Sequence, residues 1–381
     1  MGDPGRWGVP VRRGLPTHFV ALAVLVLAIA AAGALLARAS LGGVARSVDA
    51  LFAPLGGAAG QPSSGPQALG APHGDGLPTP IVLGYYEGGA GGAGYQSLVQ
   101  DAHLLSGIVP DWYTVWANGS ITGQPDERVL AYARRHDLWV FALVQQNQFG
   151  GAVLGPLLES PLASRRAMES MLALCETEGY DGVNLDFEGI PPKDRRAYTS
   201  FVAQLSALFH SYGYYVTLSV PAETQDEPQN SWTGAYDYRA LGRAADLVMV
   251  MAYDQHYAGG SAGPIASTAW VQQVANFAAR TIPPARVVLG IPLYGYDWGG
   301  SSTAQGLSFA AFRQIALQHG VQPTVQDLVY WQDGVRHIAY YEGLADFESK
   351  VRLASSYGLR GVVLWRLGLE DPSIWNYLSG P

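Results

Sequence analysis

Eight short runs rich in β-branched and aromatic residues recur after residue 80, and stretches with helical apolar spacing separate most of them. The runs cover residues 81–86, 112–116, 138–144, 182–188, 215–221, 246–253, 287–294 and 360–365; the helix-like stretches include 127–136, 164–178, 194–210 and 270–280. Strands joined through helices pair in parallel, because a crossover returns the chain to the same end of the sheet. Eight such units predict a (β/α)8 TIM barrel rather than an open doubly wound sheet. Between the seventh and eighth runs, residues 328–332 and 335–341 flank Asp333-Gly334. Asp-Gly between alternating runs is a hairpin signal, so a small β-hairpin insertion is expected there.

What precedes the alternating region reads differently. Residues 19–37 form an uncharged, almost wholly apolar stretch. As a helix it would reach roughly 28 Å, about the thickness of a bilayer core, and it exceeds the apolar region of most cleaved signal peptides. We read residues 1–39 as a cytoplasmic tail and signal anchor, a single-pass transmembrane helix. Ala37-Arg38-Ala39 offers small residues for cleavage, and cleavage would make the protein secreted. Residues 40–78 are rich in Gly, Ala, Pro and Ser, too poor in large side chains to offset their own ordering entropy, and read as a linker. The domain proper is expected over 79–381, on the extracytoplasmic side of the cell membrane.

Composition removes several classes of function. With 23 Lys and Arg against 31 Asp and Glu, the chain carries a net charge of −8 and no basic stripe, so a nucleic-acid partner is not expected. Cys175 is the lone cysteine and makes neither an internal disulfide nor a thiolate zinc site by itself. His103, His136 and His256 lack ligand-spaced partners, so no metal and no other cofactor is expected. Gly89-Ala-Gly91-Gly-Ala-Gly94 matches a dinucleotide-binding pattern, but the next strand lacks the terminal acid that would hold a ribose; a first-loop turn is the better reading. Ser, His and Asp do not converge on a nucleophile elbow.

The fourth run carries the chemistry. In Asp181-Gly182-Val183-Asn184-Leu185-Asp186-Phe187-Glu188, a period of two sends Asn184, Asp186 and Glu188 to one face and Val183, Leu185 and Phe187 to the other. In a barrel the apolar set meets the helices and the polar set enters the interior, where carboxyls are costly unless hydrogen-bonded. Crowded like charges raise the pKa of one member, which favours an acid that keeps its proton near neutrality. Glu188 falls last, at the C-terminal rim where such barrels hold catalytic groups.

These residues resemble the fourth-strand motif Asp-x-x-Asp-x-Asp-x-Glu of glycoside hydrolase family 18, matched by Asp181, Asn184, Asp186 and Glu188 with Asn in place of one Asp. Met251-Ala-Tyr-Asp254, Gly290-Ile-Pro-Leu-Tyr-Gly-Tyr-Asp-Trp298 and Gly361-Val-Val-Leu-Trp-Arg-Leu-Gly-Leu369 extend the likeness to the family's bacterial spore-cortex-lytic N-acetylglucosaminidase branch, from about residue 80 to the C-terminus. The resemblance implies substrate-assisted retention, an exception to the two-carboxylate scheme of most glycosidases. It implies that Glu188 is the general acid and base, that Asp186 holds the acetamido N–H of the substrate and that Tyr253 binds its carbonyl oxygen. It further implies that Asn184, Asp254, Tyr294 and Trp365 surround the same sugar, with Trp365 as its floor.

Asn184 can donate a hydrogen bond to Asp186 but cannot titrate, so the acid limb of the pH profile is expected to differ from that of family chitinases. The expected partner is a polysaccharide containing N-acetylglucosamine: peptidoglycan by preference, chitin as the alternative. Trp112, Trp116, Trp232 and Trp298 are expected as sugar-binding rim aromatics, and a monomer is expected. The rival function is a carbohydrate-binding, lectin-like protein on the same barrel; retention of Glu188 favours an enzyme.

Overall fold

The computed structural model describes residues 76–379, apart from residues 90, 149, 301–302 and 323–326. The expected signal anchor at 19–37 and nearly all of the expected linker lie outside the described residues. Among the described residues no helix is long and apolar enough to cross a membrane.

Among the described residues thirteen strands follow in chain order: β1 (Ile81–Tyr86), β2 (Gly107–Val115), β3 (Ile121–Gly123), β4 (Trp139–Gln146), β5 (Gly182–Asp186), β6 (Tyr215–Pro221), β7 (Leu247–Met251), β8 (Val287–Pro292), β9 (Gly295–Trp298), β10 (Gln305–Leu307), β11 (Asp327–Gln332), β12 (Val335–Tyr341) and β13 (Gly361–Trp365). Eight of them pair in parallel in the order β1-β2-β4-β5-β6-β7-β8-β13, and β13 returns to β1. The sheet is a closed barrel, the TIM-type architecture expected from the alternation of runs. Closure leaves those eight strands without an open edge.

Inside, Ile81, Leu83 and Tyr85 of β1 pack with Val109, Trp139, Phe141, Leu143, Leu247, Met249, Val288 and Val363. Alternate residues Val183 and Leu185 of β5 are fully buried on the other face, toward the helices. The helices Glu127–Arg135, Pro161–Glu178, Arg195–Ser211 and Thr268–Thr281 each overlap a stretch read from apolar spacing. Their starts obey side-chain capping: Asp126 accepts hydrogen bonds from the backbone of Arg128 and Val129, and Ser160 from that of Ala163. Asp181, fully buried, accepts from the backbone N–H of Val140 at 2.8 Å and fastens the base of β5 to β4. The first acid of the sequence motif is thus a structural tie.

Two features depart from expectation. β2 begins five residues before the run at 112–116, and Pro110 sits inside it; proline normally argues against a central strand. An irregular register between Asp111 and Tyr113 relieves the β2–β4 ladder there. The hairpin of β11 and β12 forms around Asp333 and Gly334, both at positive φ (52° and 78°) as a type I′ turn requires. The insertion is larger than a hairpin, however. β9 and β10 complete a four-stranded sheet ordered β10-β9-β12-β11, and the helix Phe309–Gln318 packs on one face around Phe312, Tyr330 and Tyr341.

Gly182 opens β5 against the main chain of β6: a Cβ there would stand 2.0 Å from the carbonyl oxygen of Tyr215. Gly182→Ala is expected to lower the unfolding free energy by about 2 kcal/mol in a denaturant titration. A loss below about 0.5 kcal/mol, the range of ordinary surface changes, would show that these strands have room to part.

Candidate active site

β5 ends earlier than its run suggested. Main-chain pairing to β6 stops at Leu185 and to β4 at Asp186, so Glu188 lies beyond the strand rather than on it. Gly189 follows at φ 67°, a conformation that glycine adopts without strain and that turns the chain away. Asp186 therefore points into the barrel from the last paired position, and Glu188 stands at its mouth. The peptide between Phe187 and Glu188 is held by side chains: Glu188 N–H donates to Gln146 Oε1 at 3.0 Å, and the Tyr236 hydroxyl donates to Phe187 C=O at 2.6 Å.

The two carboxyls share a poorly solvated corner. Burial, then the nearby charges of Glu188 and Asp111, hold the Asp186 carboxyl well above the usual range. Its Oδ1 is buried and makes no hydrogen bond among the described residues. Burial, followed by repulsion from Asp254, pushes Glu188 up to about 7. Asp111 on β2 is raised mainly by burial, and Gln145 of β4 partly offsets that by donating to both of its oxygens at 2.8 and 2.9 Å.

Asn184 does not fill the role expected of it. Fully buried, it has no surface to offer a substrate. Its Nδ2 donates to Thr217 Oγ1 at 3.0 Å, and its Oδ1 accepts from Ser219 Oγ at 2.8 Å. The Tyr85 hydroxyl joins the chain at Ser219, 2.6 Å away. The amide is thus engaged by β6 and, through Met249 Sδ at 3.4 Å, by β7 rather than by Asp186, and Asn184 is an interior support for β5.

The remaining expected residues converge on the mouth from the far side of the barrel. Tyr253 follows β7 by two residues, and its buried hydroxyl has no partner among the described residues. Its ring stacks on Trp365, the last residue of β13, at 6.3 Å and 23° between planes. Tyr85 supports Trp365 edge-on at 4.9 Å. Tyr294 and Tyr296 both donate to Asp254 Oδ1, at 2.5 and 3.2 Å, which orients that carboxylate. Asp254, Tyr294, Tyr296, Trp365 and Arg366 line a cavity of about 250 Å³, closed on one side by Gly306–Ser308 of the insertion. Arg366 is balanced by Glu87 at 2.6 Å.

Trp116 and Trp232 are exposed on loops after β2 and β6, at the same end of the barrel, while Trp112 and Trp298 are half-buried. Gly92 N–H bonds to Gly89 C=O, a turn leading into the helix Ala93–Asp101. Among the described residues no group of three His, Cys, Asp or Glu is placed to hold a metal ion. Asp111, Gln145, Gln146, Tyr236 and Tyr296 escaped the sequence reading. Gln145 and Gln146 left a signal, polar side chains at the C-terminal end of an otherwise apolar barrel strand; Asp111 lies mid-strand in β2 and Tyr236 in a loop.

A half-buried acid raised to about 7, a second carboxyl with an oxygen unpartnered among the described residues, and a tyrosine hydroxyl likewise unpartnered make an arrangement suited to proton transfer onto a polar ligand. Comparison with known proteins gives the family of this chain. Residues 148–370 match the family model "Glycosyl hydrolases family 18". The chain is similar to the uncharacterized glycosylase YvbX of Bacillus subtilis, 28% identical over 312 residues, covering 78% of this chain and 90% of that one. It is likewise similar to the cortical fragment-lytic enzyme of Bacillus subtilis, 28% identical over 277 residues, covering 69% and 64%. Among solved structures, a chitinase from Chromobacterium violaceum superposes with a TM-score of 0.70 at 25% identity, covering 78% of this chain and 98% of that one. The spore cortex-lytic enzyme SleL of Bacillus cereus shares the fold with a TM-score of 0.72 at 23% identity, covering 78% and 73%. With the family matched over more than half of its length and the barrel in place, this chain belongs to glycosyl hydrolases family 18 and is a glycosidase.

Proposed function

We propose that the protein hydrolyses β-linked glycans of N-acetylglucosamine by a retaining mechanism in which the substrate's own acetamido group is the nucleophile. One observation carries the reading. Two polar atoms at the barrel mouth, Asp186 Oδ1 and the Tyr253 hydroxyl, are buried without partners among the described residues. Burial keeps the tyrosine proton in place, so they form an acceptor and a donor, the complement of an amide N–H and C=O. Buried polar groups are normally satisfied, and a bound acetamido group would satisfy both.

In this scheme Glu188 protonates the departing glycosidic oxygen as the acetamido carbonyl oxygen bonds to the anomeric carbon. Asp186 accepts the acetamido N–H and stabilises the positive charge that develops on the oxazolinium ring. Tyr253 fixes the carbonyl oxygen for attack, and Trp365 carries the sugar face. Water then replaces the departed group: Glu188 takes its proton, the hydroxyl oxygen bonds to the anomeric carbon, and the acetamido group is restored. Asp254, held by Tyr294 and Tyr296, contributes to the same subsite and raises Glu188.

Peptidoglycan is the preferred substrate and chitin the alternative, a choice supported by the likeness to cortical fragment-lytic enzymes. Placement outside the cytoplasmic membrane on an N-terminal anchor belongs to the same proposal and rests on the apolar stretch at 19–37.

Glu188→Gln keeps the shape but removes the proton, and turnover of an N-acetylglucosamine oligosaccharide is expected to fall between about a hundredfold and ten-thousandfold with ligand binding retained; a variant as active as its parent would contradict the assignment. Because Glu188 works protonated and is raised to about 7, kcat is expected to hold below that pH and decline above it. Asp254→Asn removes a charge that raises this group, so the alkaline limb should move to lower pH; an unmoved or raised limb would speak against the electrostatic account. In parallel digests analysed by mass spectrometry, shortened peptidoglycan fragments are expected, whereas intact peptidoglycan beside shortened chitin would reverse the substrate preference.

A further inference from the structure

A catalytic acid on a barrel rim faces a structural conflict. To project over the mouth it must leave the strand, yet leaving the strand orphans peptide groups that the ladder would have satisfied. Here that conflict falls on one peptide unit. Past Asp186 neither neighbouring strand pairs with β5 through its main chain. The N–H of the Phe187–Glu188 peptide is taken by Gln146 at 3.0 Å and its C=O by Tyr236 at 2.6 Å. Both partners are themselves buried: Gln146 is 7% exposed and Tyr236 not at all.

The two side chains come from opposite sides of β5 and are braced separately. Gln146 is the last residue of β4, one step beyond Gln145, which pairs with Asp186. Tyr236 sits in the long loop after β6, and its ring packs edge-on against Tyr198 at 5.7 Å. That loop is tied down by Arg195, which donates to Gly234 C=O at 2.9 Å and ion-pairs with Asp226 at 3.0 Å and Asp237 at 3.4 Å. Tyr238, two residues on, donates to Pro221 C=O at 2.5 Å, closing the loop back on β6.

We infer that Gln146 and Tyr236 are positioning residues that act as a two-sided clamp on the Phe187–Glu188 peptide and thereby fix the direction from which Glu188 delivers its proton. The inference rests on the proposed acid role of Glu188. A peptide bound at both N–H and C=O cannot rotate about its flanking bonds without breaking one hydrogen bond, and Gly189 beyond it supplies no stiffness of its own. The clamp therefore replaces the missing ladder at the one residue whose side chain must be aimed.

The test uses Tyr236→Phe, Gln146→Met and their combination, each compared with wild type and with Glu188→Gln. Two substrates are assayed: an N-acetylglucosamine oligosaccharide, whose leaving sugar needs a proton, and a dinitrophenyl glycoside, whose leaving group scarcely does. Each single variant is expected to lose about tenfold in kcat/KM on the oligosaccharide and less than about twofold on the dinitrophenyl glycoside. The double variant should lose clearly less than the product of the single losses, since both contacts hold the same plane. Equal losses on the two substrates, full multiplicativity, or no loss at all would overturn the clamp. Glu188→Gln separates the levels: if it shows the leaving-group dependence and the clamp variants do not, only the clamp fails, and if it does not, the acid assignment fails first.

Discussion

Desolvation of carboxyl groups at the mouth of a closed barrel is the constraint around which this molecule is arranged. Asp186 ends β5 and Glu188 stands two residues beyond it, with Asp111 and Asp254 contributing further negative charge nearby. In water such a cluster would simply ionise. Burial makes full ionisation costly, so Glu188 keeps a proton to about neutrality and Asp186 is held well above its ordinary range. In the proposed reaction, proton donation to a leaving group and stabilisation of a nascent cation both draw on that electrostatic cost.

The rest of the fold keeps the corner dry and aimed. A closed parallel sheet supplies an interior filled largely by apolar side chains such as Leu83, Phe141, Met249 and Val363. Asn184, Ser219, Thr217 and Tyr85 form the last hydrogen-bonded layer below the rim. Above them Tyr253, Trp365 and Tyr294 form a wall of rings, and the four-stranded insertion extends that wall along the cavity. A neutral amide at position 184 satisfies its neighbours without adding another charge to a crowded site. That gives a physical reason for tolerating asparagine where the family motif carries an acid.

Much of this was legible from pattern alone, because barrel strands advertise themselves through their two-residue period. β1 and β6 coincide with their runs, and the polar face of β5 announced Asp186 and Glu188. Expectation failed where a residue's partners come from distant parts of the chain. Asn184 looked like a companion of Asp186, but its hydrogen-bond partners lie on β6 and β7, over thirty residues away. Tyr236 reaches Phe187 across 49 positions, which no local spacing encodes. β9 and β10 are too short to show a period, and Pro110 concealed the first half of β2 behind a rule that its irregular ladder circumvents.

A first displacement within the substrate, completed before water enters, separates this account from the scheme in which water attacks the glycoside directly. The most direct measurement is NMR of the anomeric proton in the first product formed from a β-linked N-acetylglucosamine oligosaccharide, recorded before mutarotation. Two successive displacements at one carbon predict that the new reducing end appears as the β anomer. Initial appearance of the α anomer would mean a single inversion, and the roles assigned to Asp186 and Tyr253 would then be untenable.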